Sequence, residues 1–383
     1  MKRGTKVSRN GIAGALAARS GRFGLVSHQA TGAAERLAAA FPGRLAALFS
    51  PEHGFFGAAG AGEKTGDATH PHLGLPVFSL YGENRRPRRE HLEGLSALAF
   101  SLQDVGTRCF TYLGTLALTL EAAAEAGVAV VVEDRPVPLG GVCDGLGMDP
   151  ELESFVGPID VPFCHGMTPG EAAAWIAEDK GLDIDLEIAA IPGWSHAETG
   201  PWEGWLPPSP ALRSWDCAAA YPATVFCEAF PAMDCDRGGA LAFRFAGAPL
   251  RDAWRFARRV SPATERFGWG LRPYSAPPAA PGGAAREGVL LERIRGAEPL
   301  TASAGFVLLD ALLRECPDEM AAGARPGWLD KLCGRKDILA RLQSGGLGGI
   351  LEECAATRRA WRARRKDLYG PHHPPERPAD DAQ

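Results

Sequence analysis

The stretch ALAFSLQDVGTRCFTYLGTLALTLEAAAEAGVAVVVE, residues 97–133, contains a complete strand–helix–strand unit. Its apolar run over 97–102 breaks at Gln103-Asp104, and an Ala- and Leu-rich helical stretch over 112–126 follows. That helix ends at Gly127, the residue type best suited to the left-handed backbone just past a helix. A run rich in Val then fills 128–133. Two strands joined by a crossover helix pair in parallel, because a parallel connection must carry the chain back across the sheet. Further upstream, apolar runs over 23–27, 45–49 and 77–80 alternate with helical patterns over 33–41 and 88–95. Downstream, Thr168 precedes a helix over 169–178 with Pro169 in its first turn and Glu171 three residues on, the spacing of a capping box.

Together these segments predict an α/β fold: a Rossmann-like, mostly parallel sheet with a second, smaller α+β domain. At 383 residues the chain exceeds the size at which one core usually keeps growing, which favours two lobes. The Pro- and Trp-rich stretch 192–215 marks the change, so the expected division is 1–191 for the Rossmann-like catalytic domain and 192–383 for the smaller domain completing a cleft. In the second part, strands are expected over 240–246 and 288–294, and helices over 252–260 and 302–316. A surface loop is expected over 276–285, and a basic helix closes over 361–369, with a disordered tail from about 370.

Composition narrows the function. A net charge of −5 offers no general attraction to phosphate backbones, so nucleic acid is not an expected partner despite the basic runs at 85–89 and 358–366. Nine dispersed cysteines without a C-x-x-C pair argue against a disulfide framework or a zinc knuckle and for reduced thiols. The segment 11–18 is too weakly apolar for a signal peptide, and no run reaches transmembrane length, so membrane insertion is not expected and the expected location is cytoplasmic.

In an open parallel sheet, ligands bind beyond the carboxyl ends of the strands. Here those ends run into Ser27-His28-Gln29, Ser50-Pro51-Glu52-His53, Tyr81-Gly82-Glu83, Gln103-Asp104 and Glu133-Asp134-Arg135. Five polar ends on one rim form a collective signal that no single loop provides. Glu52 is the leading catalytic residue: it sits in a loop containing Gly54, Gly57, Gly60 and Gly62, beside Phe55 and Phe56, where a partly desolvated carboxyl group is suited to moving a proton. The alternative is a loop glutamate that only bonds neighbouring amides. Asp104 and Glu83 are the candidates for a second catalytic carboxylate. Asp104 equally suits a cap before the following helix, and Glu83 equally suits pairing with Arg85 or Arg86. Arg108, Arg135 and Arg237 can grip a substrate carboxylate bidentately, although each residue type also serves structural ion pairs. Asp134 can pair with Arg135, and His165 can serve its loop backbone. Trp194, Trp202, Trp205 and Trp215 can stack on sugar rings or pack in the core. His28, Glu52, His53, Asp104 and His165 are metal-ligand types on neighbouring loops, but no tight spacing such as H-E-x-x-H joins them, and no metal is assigned. No G-x-G-x-x-G, Walker A or G-x-S-x-G motif is present.

The same stretches resemble the NamZ-type exo-β-N-acetylmuramidases, a family formerly known only as a domain of unknown function. The resemblance rests on G-R-F-G-L-V-S-H-Q-A-T-G at 21–32, L-F-S-P-E-H-G-F at 48–55, A-G-E-K at 61–64 and G-L-P-V-F-S-L-Y-G-E at 74–83. It continues with Q-D-V-G-T-R-C-F-T-Y at 103–112, E-D-R-P at 133–136 and H-G-M-T-P-G-E at 165–171. The second half is similar in P-S-P-A-L at 208–212, Y-P-A-T-V at 221–225 and Leu329-Asp330-Lys331. It departs where the family's E-G-T-N and G-R-G-T become Glu228-Ala229-Phe230-Pro231 and Asp236-Arg237-Gly238-Gly239, and where D-R-P-N-P acquires Val137.

The resemblance implies a glycoside hydrolase that removes terminal N-acetylmuramic acid from the non-reducing end of peptidoglycan-derived saccharides, in cell-wall recycling, without a cofactor. It puts Glu52 at the catalytic position and the substrate among His28, His53, Arg108, Tyr112, Asp134, Arg135, His165, Glu228 and Arg237. A metal-dependent hydrolase on the same rim and a non-catalytic muramyl-sugar-binding protein are the alternatives.

Overall fold

A computed structural model describes residues 5–197, 200–201, 204–278 and 283–365. The expected tail from 370 lies outside them, as do Trp202 and part of the 276–285 loop. The first half forms an eight-stranded sheet from β1 (Lys6–Ser8), β2 (Arg22–Ser27), β3 (Leu45–Ser50), β4 (Ala68–Thr69), β5 (Pro76–Ser79), β6 (Leu95–Ser101), β7 (Ala129–Glu133) and β8 (Leu186–Ala189). Its order is β1-β8-β7-β6-β2-β3-β5-β4, and every pairing is parallel except that of the two-residue β4. The chain lays β3 and β5 on one side of β2, then returns to place β6, β7 and β8 on the other. The order therefore reverses between β2 and β6, which opens a crevice at their carboxyl ends.

Both faces of the sheet are covered, and the strand residues alternate accordingly. Ala97, Ala99, Ala129 and Val131 join Phe23, Leu25 and Leu48 in one cluster, beneath α1 (Gly11–Ala17) and α2 (Ala33–Ala40). Leu98, Phe100, Val130 and Val132 face the larger core on the opposite side, beneath α4 (Thr111–Ala126) and α5 (Pro169–Asp179). The short α3 (Arg89–Leu92) packs on α4, and the helix expected over 88–95 is this single turn, because Gly94 (φ 74°) and β6 take up its second half. Helix α4 ends at Gly127 in the left-handed region (φ 68°), as its sequence predicts. Helix α5 begins with the complete Thr168–Glu171 capping box.

The second half supplies α6 (Trp215–Thr224), β9 (Phe245–Gly247), α7 (Ala253–Glu265), β10 (Trp269–Ala276), β11 (Arg286–Arg293), α8 (Thr301–Glu315), α9 (Pro317–Ala321), α10 (Pro326–Cys333), α11 (Ile338–Gln343) and α12 (Leu347–Arg365). Strands β10, β11 and β9 make a three-stranded antiparallel sheet. The strand expected over 240–246 is reduced to β9, because Phe243 turns at φ 63° and residues 241–244 form a turn that ends with Phe245 N–H on Leu241 O. The two halves share one hydrophobic core, through which Phe163, Phe226 and Phe306 stack.

Polar contacts fasten the second half to the segment 144–165. Asp144 is completely buried and accepts from both the N–H and the hydroxyl of Ser303, each at 2.7 Å. Arg108, also completely buried, donates to the carbonyls of Leu146 (3.1 Å), Val161 (2.6 Å) and Cys333 (2.6 Å). Truncating it strands three buried acceptors, a loss on the order of 3 kcal/mol. Arg108→Met is accordingly expected to lower the unfolding free energy by that margin and so to lower the urea midpoint, which equilibrium unfolding followed by circular dichroism checks; an unchanged midpoint would refute the fastening role.

Candidate active site

The parallel sheet puts His28, Glu52, Tyr81, Asp104 and Arg135 beyond five strand ends on one edge. The loops after β2, β3 and β5 are then laced to one another. Gln29 N–H donates to Phe55 O (2.8 Å), Leu80 N–H to Ser50 O (2.8 Å) and Thr65 N–H to Tyr81 O (3.4 Å). Past Glu52 the chain reverses sharply. His53 and Gly54 both take left-handed backbone, φ 71° and 72°, a conformation glycine adopts freely and histidine at a cost. His53 is tied down by a hydrogen bond between Nδ1 and Ala59 O (3.0 Å).

This reversal brings the 60s loop back over Glu52, which is buried. Its Oε1 accepts from Gly62 N–H (2.7 Å), and its Oε2 accepts from the hydroxyl of Thr111, the first residue of α4 (2.8 Å). The Tyr81 hydroxyl also meets the carboxylate. Burial, then the Glu52 charge, push that phenol up to about 12, so it stays protonated as a donor. Glu52 thus bonds a neighbouring amide and also faces hydroxyl groups from two other elements. Phe55 and Phe56 are not its packing partners: Phe55 points into the core beneath α2 and stacks edge-on with Phe56 and His70.

A cleft of about 390 Å³ opens in front of this cluster, lined by Lys64, Asp67, Tyr81, Gly82, Glu83 and Arg88 among others. Glu52 does not line it but bonds Tyr81, which does. Glu83 lies on the wall. The arginines expected to compete for it are engaged elsewhere, Arg86 with Glu125 and Arg85 over the Phe155 ring (4.8 Å). From the second half, the charge of Glu228 reaches Tyr81, and Glu228 pairs with Arg237 (2.7 Å). Glu228 and Arg237 therefore neighbour the cluster as a mutual ion pair, with Arg237 also lying over Phe243.

At the crevice itself, Asp104 is buried and accepts from Gly106 N–H (2.7 Å). Burial lifts its carboxyl group to about 7 against the opposing pull of the Gly106 and Val105 amides, so it is about half protonated near pH 7. Buried Tyr112 lies within the field of both Glu52 and Asp104, and its hydroxyl donates to Pro208 O. His28 packs against Tyr112 and is pulled down to about 4 by burial, then by the Arg135 charge and His53. Its Nδ1 accepts from Ala30 N–H (3.2 Å), which leaves the hydrogen on Nε2. That buried nitrogen meets no hydrogen-bond partner among the described residues.

Other expected contacts are structural. Arg108 has its guanidinium held by three carbonyls, so it is not available to grip a carboxylate. Asp134 caps α5 rather than pairing with the Arg135 side chain: it accepts from Gly170 N–H (2.8 Å) and the Thr168 hydroxyl (3.0 Å), and the close approach requires glycine at 170. Arg135 pairs with Glu133 instead (2.9 Å). His165 is buried against the loop after β6, its N–H donating to Gly106 O (3.0 Å), its Nδ1 accepting from Met167 N–H and its carbonyl accepting from Trp361 Nε1. Trp194 and Trp215 are core residues, and Trp205 packs against the same core. Among the described residues, no three His, Cys, Asp or Glu side chains converge as metal ligands. The residues that sequence reasoning passed over are Tyr81, Thr111 and Gly62. Tyr81 stands two positions before Glu83 in the S-L-Y-G-E stretch, but nothing in its pattern shows that it turns toward Glu52.

Comparison with known proteins agrees with this architecture. Residues 21–216 match the family model "Exo-beta-N-acetylmuramidase NamZ, N-terminal", and residues 219–369 match its C-terminal counterpart. The chain is 39% identical over 211 residues to the peptidoglycan beta-N-acetylmuramidase NamZ of Bacillus subtilis, a match covering 54% of this chain and 50% of that protein. A crystal structure of a DUF1343 family protein from Bacteroides fragilis superposes with a TM-score of 0.82 at 26% identity, covering 92% of this chain and 94% of its own. A second from the same organism, at 20% identity, shares the fold with a TM-score of 0.68 over 91% of this chain and 94% of its own. With both family models spanning nearly all of it, the chain belongs to the NamZ exo-β-N-acetylmuramidase family.

Proposed function

We propose that this chain is an exo-acting glycoside hydrolase releasing terminal N-acetylmuramic acid from the non-reducing end of peptidoglycan-derived fragments. The observation that carries the reading is Glu52, buried against the cleft-lining Tyr81 and held by donors from three separate elements. Such positioning suits a carboxyl group that must meet one oxygen of a bound sugar. In the reaction, water adds to the anomeric carbon, the glycosidic bond breaks, and the departing oxygen gains a proton. Glu52 serves as general acid/base. Asp104 assists as the second carboxyl group, with a proton to give near neutrality. Glu83, on the cleft wall, is the other carboxyl group in reach of the substrate's outer part.

All nine cysteines are free and eight are buried, as suits a reducing compartment, which supports a cytoplasmic role in recycling wall fragments. Among the described residues no helix is long and apolar enough to cross a membrane.

Purified protein is expected to cleave a chromogenic β-N-acetylmuramide, and Glu52→Gln to lower kcat by roughly 10³-fold while unfolding as the wild type does. Equal rates would overturn the assignment. Activity lost on chelation would favour the metal-dependent alternative, and binding without turnover by the wild type would favour the sugar-binding one.

The raised Asp104 carboxyl group also has a consequence for stability. Its ordinary value of 3.8 rises to about 7 on folding, so the folded chain holds a proton that the unfolded chain releases across that range. Stability contributed by this group is complete at acid pH and declines as pH rises toward 7. Asp134, also raised to about 7, acts in the same sense. The unfolding free energy of Asp104→Asn, measured from pH 5 to 8, is expected to fall less steeply than that of the wild type; parallel curves would show that Asp104 is ionised throughout.

A further inference from the structure

A muramyl sugar differs from a glucosaminyl sugar by a lactyl ether ending in a carboxylate, so a site that prefers the former requires a cation that is not already neutralised. The arginines that sequence reasoning put forward do not provide it. Arg108 is completely buried with both terminal nitrogens held by carbonyls, Arg135 pairs with Glu133, and Arg237 pairs with Glu228. On the cleft wall, Arg88 is occupied by Asp67 and Glu90. Lys64 is different. It lines the cleft, is exposed, and meets no carboxylate within ion-pair distance among the described residues.

Its position relative to Glu52 is fixed by neighbours on both sides. Two residues before it, Gly62 N–H binds Glu52. One residue after it, Thr65 N–H binds Tyr81 O. Its stem lies over Gly82, where an added Cβ would sit 3.5 Å from the Lys64 Cβ, and Gly82 follows the tyrosine that touches Glu52. The ammonium group therefore rides on a flexible four-carbon stem rooted beside the catalytic carboxylate and open to the cleft.

We infer that Lys64 is the specificity-determining residue for the muramyl sugar, its ammonium group binding the lactyl carboxylate of the saccharide seated against Glu52. This rests on the hydrolase reading above and accounts for a residue, the last of the A-G-E-K stretch, that the catalytic scheme leaves unused. The cleft also explains why a lysine suffices. An exposed point charge discriminates by the presence of a carboxylate without requiring the planar geometry of an arginine fork.

The test compares binding of free N-acetylmuramic acid and free N-acetylglucosamine by titration calorimetry, so it does not depend on turnover. The wild type is expected to prefer the muramic acid by about tenfold or more, the scale of one charge-assisted contact. Lys64→Met is expected to abolish the preference by weakening muramic acid binding alone, and Lys64→Arg to retain most of it. A Lys64→Met protein that keeps the preference, or that weakens both sugars equally, would overturn the inference. Whether the wild type cleaves the chromogenic muramide is scored separately. Absent cleavage with an intact, Lys64-dependent preference would reject the hydrolase reading while upholding the role of Lys64 in recognition.

Discussion

Parallel strands leave a sheet only one edge on which to assemble chemistry. Seven of the eight strands here run the same way, and helices and the second half cover both faces, so the carboxyl ends carry the polar groups that cannot be buried in either core. The reversal of strand order between β2 and β6 keeps that edge from closing. Its tips are joined side to side. The Ser27 hydroxyl donates to Ser101 O (3.0 Å) across the reversal, and the Ser101 hydroxyl donates to Glu133 at the end of β7 (2.5 Å). His28, Asp104 and Arg135 are therefore placed by the sheet itself, whereas Glu52, Tyr81 and Lys64 depend on how the loops beyond it fold back.

Buried charge divides along the same line. Asp134 and Asp144 have low exposure and accept from backbone and hydroxyl groups of other segments, and buried Arg108 has its two terminal nitrogens held by carbonyls, while its Nε meets no partner among the described residues. Desolvating a charge is costly unless such partners surround it. At the rim, His28 has one ring nitrogen that meets no partner among the described residues, Glu83 and Lys64 stand on an open wall, and Asp104, like Asp134, carries a carboxyl group raised to about 7 by its burial. The two groups contain the same residue types.

Where those partners lie along the chain decides how far the sequence could be read. The strands and helices of the parallel sheet were legible because burial on both faces imposes continuous apolar runs, and because Gly127 and Thr168 carry local signals for helix ends. β1 and β8 escaped notice, since strands of three and four residues are too short for periodicity to show. The strand expected over 240–246 was shortened by the positive φ of Phe243, which no propensity would suggest. In the site, Glu52 could be picked out from its glycine-rich loop and from the resemblance to a family. Arg108 could not be told from a substrate-binding arginine, because its partners at 146, 161 and 333 are dispersed along the chain. Asp134 likewise looked like a partner for the side chain next to it, while its real contacts lie more than thirty residues on.

The position of Glu52 illustrates how a loop can be made as determinate as a strand. Two successive left-handed residues, His53 and Gly54, turn the chain out of β3, and the Gln29–Phe55 bond anchors that turn to the neighbouring loop. The 60s loop then returns to supply Gly62 N–H, α4 supplies the Thr111 hydroxyl, and the loop after β5 supplies Tyr81. Removing any one donor leaves the others in place, so the carboxylate does not rely on a single contact for its orientation. The strained histidine backbone is tolerated because its ring is bound to Ala59 O in the same returning loop. Catalytic position and loop closure are thus one arrangement: the bond that orients Glu52 through Gly62 also draws Lys64 to the mouth of the cleft.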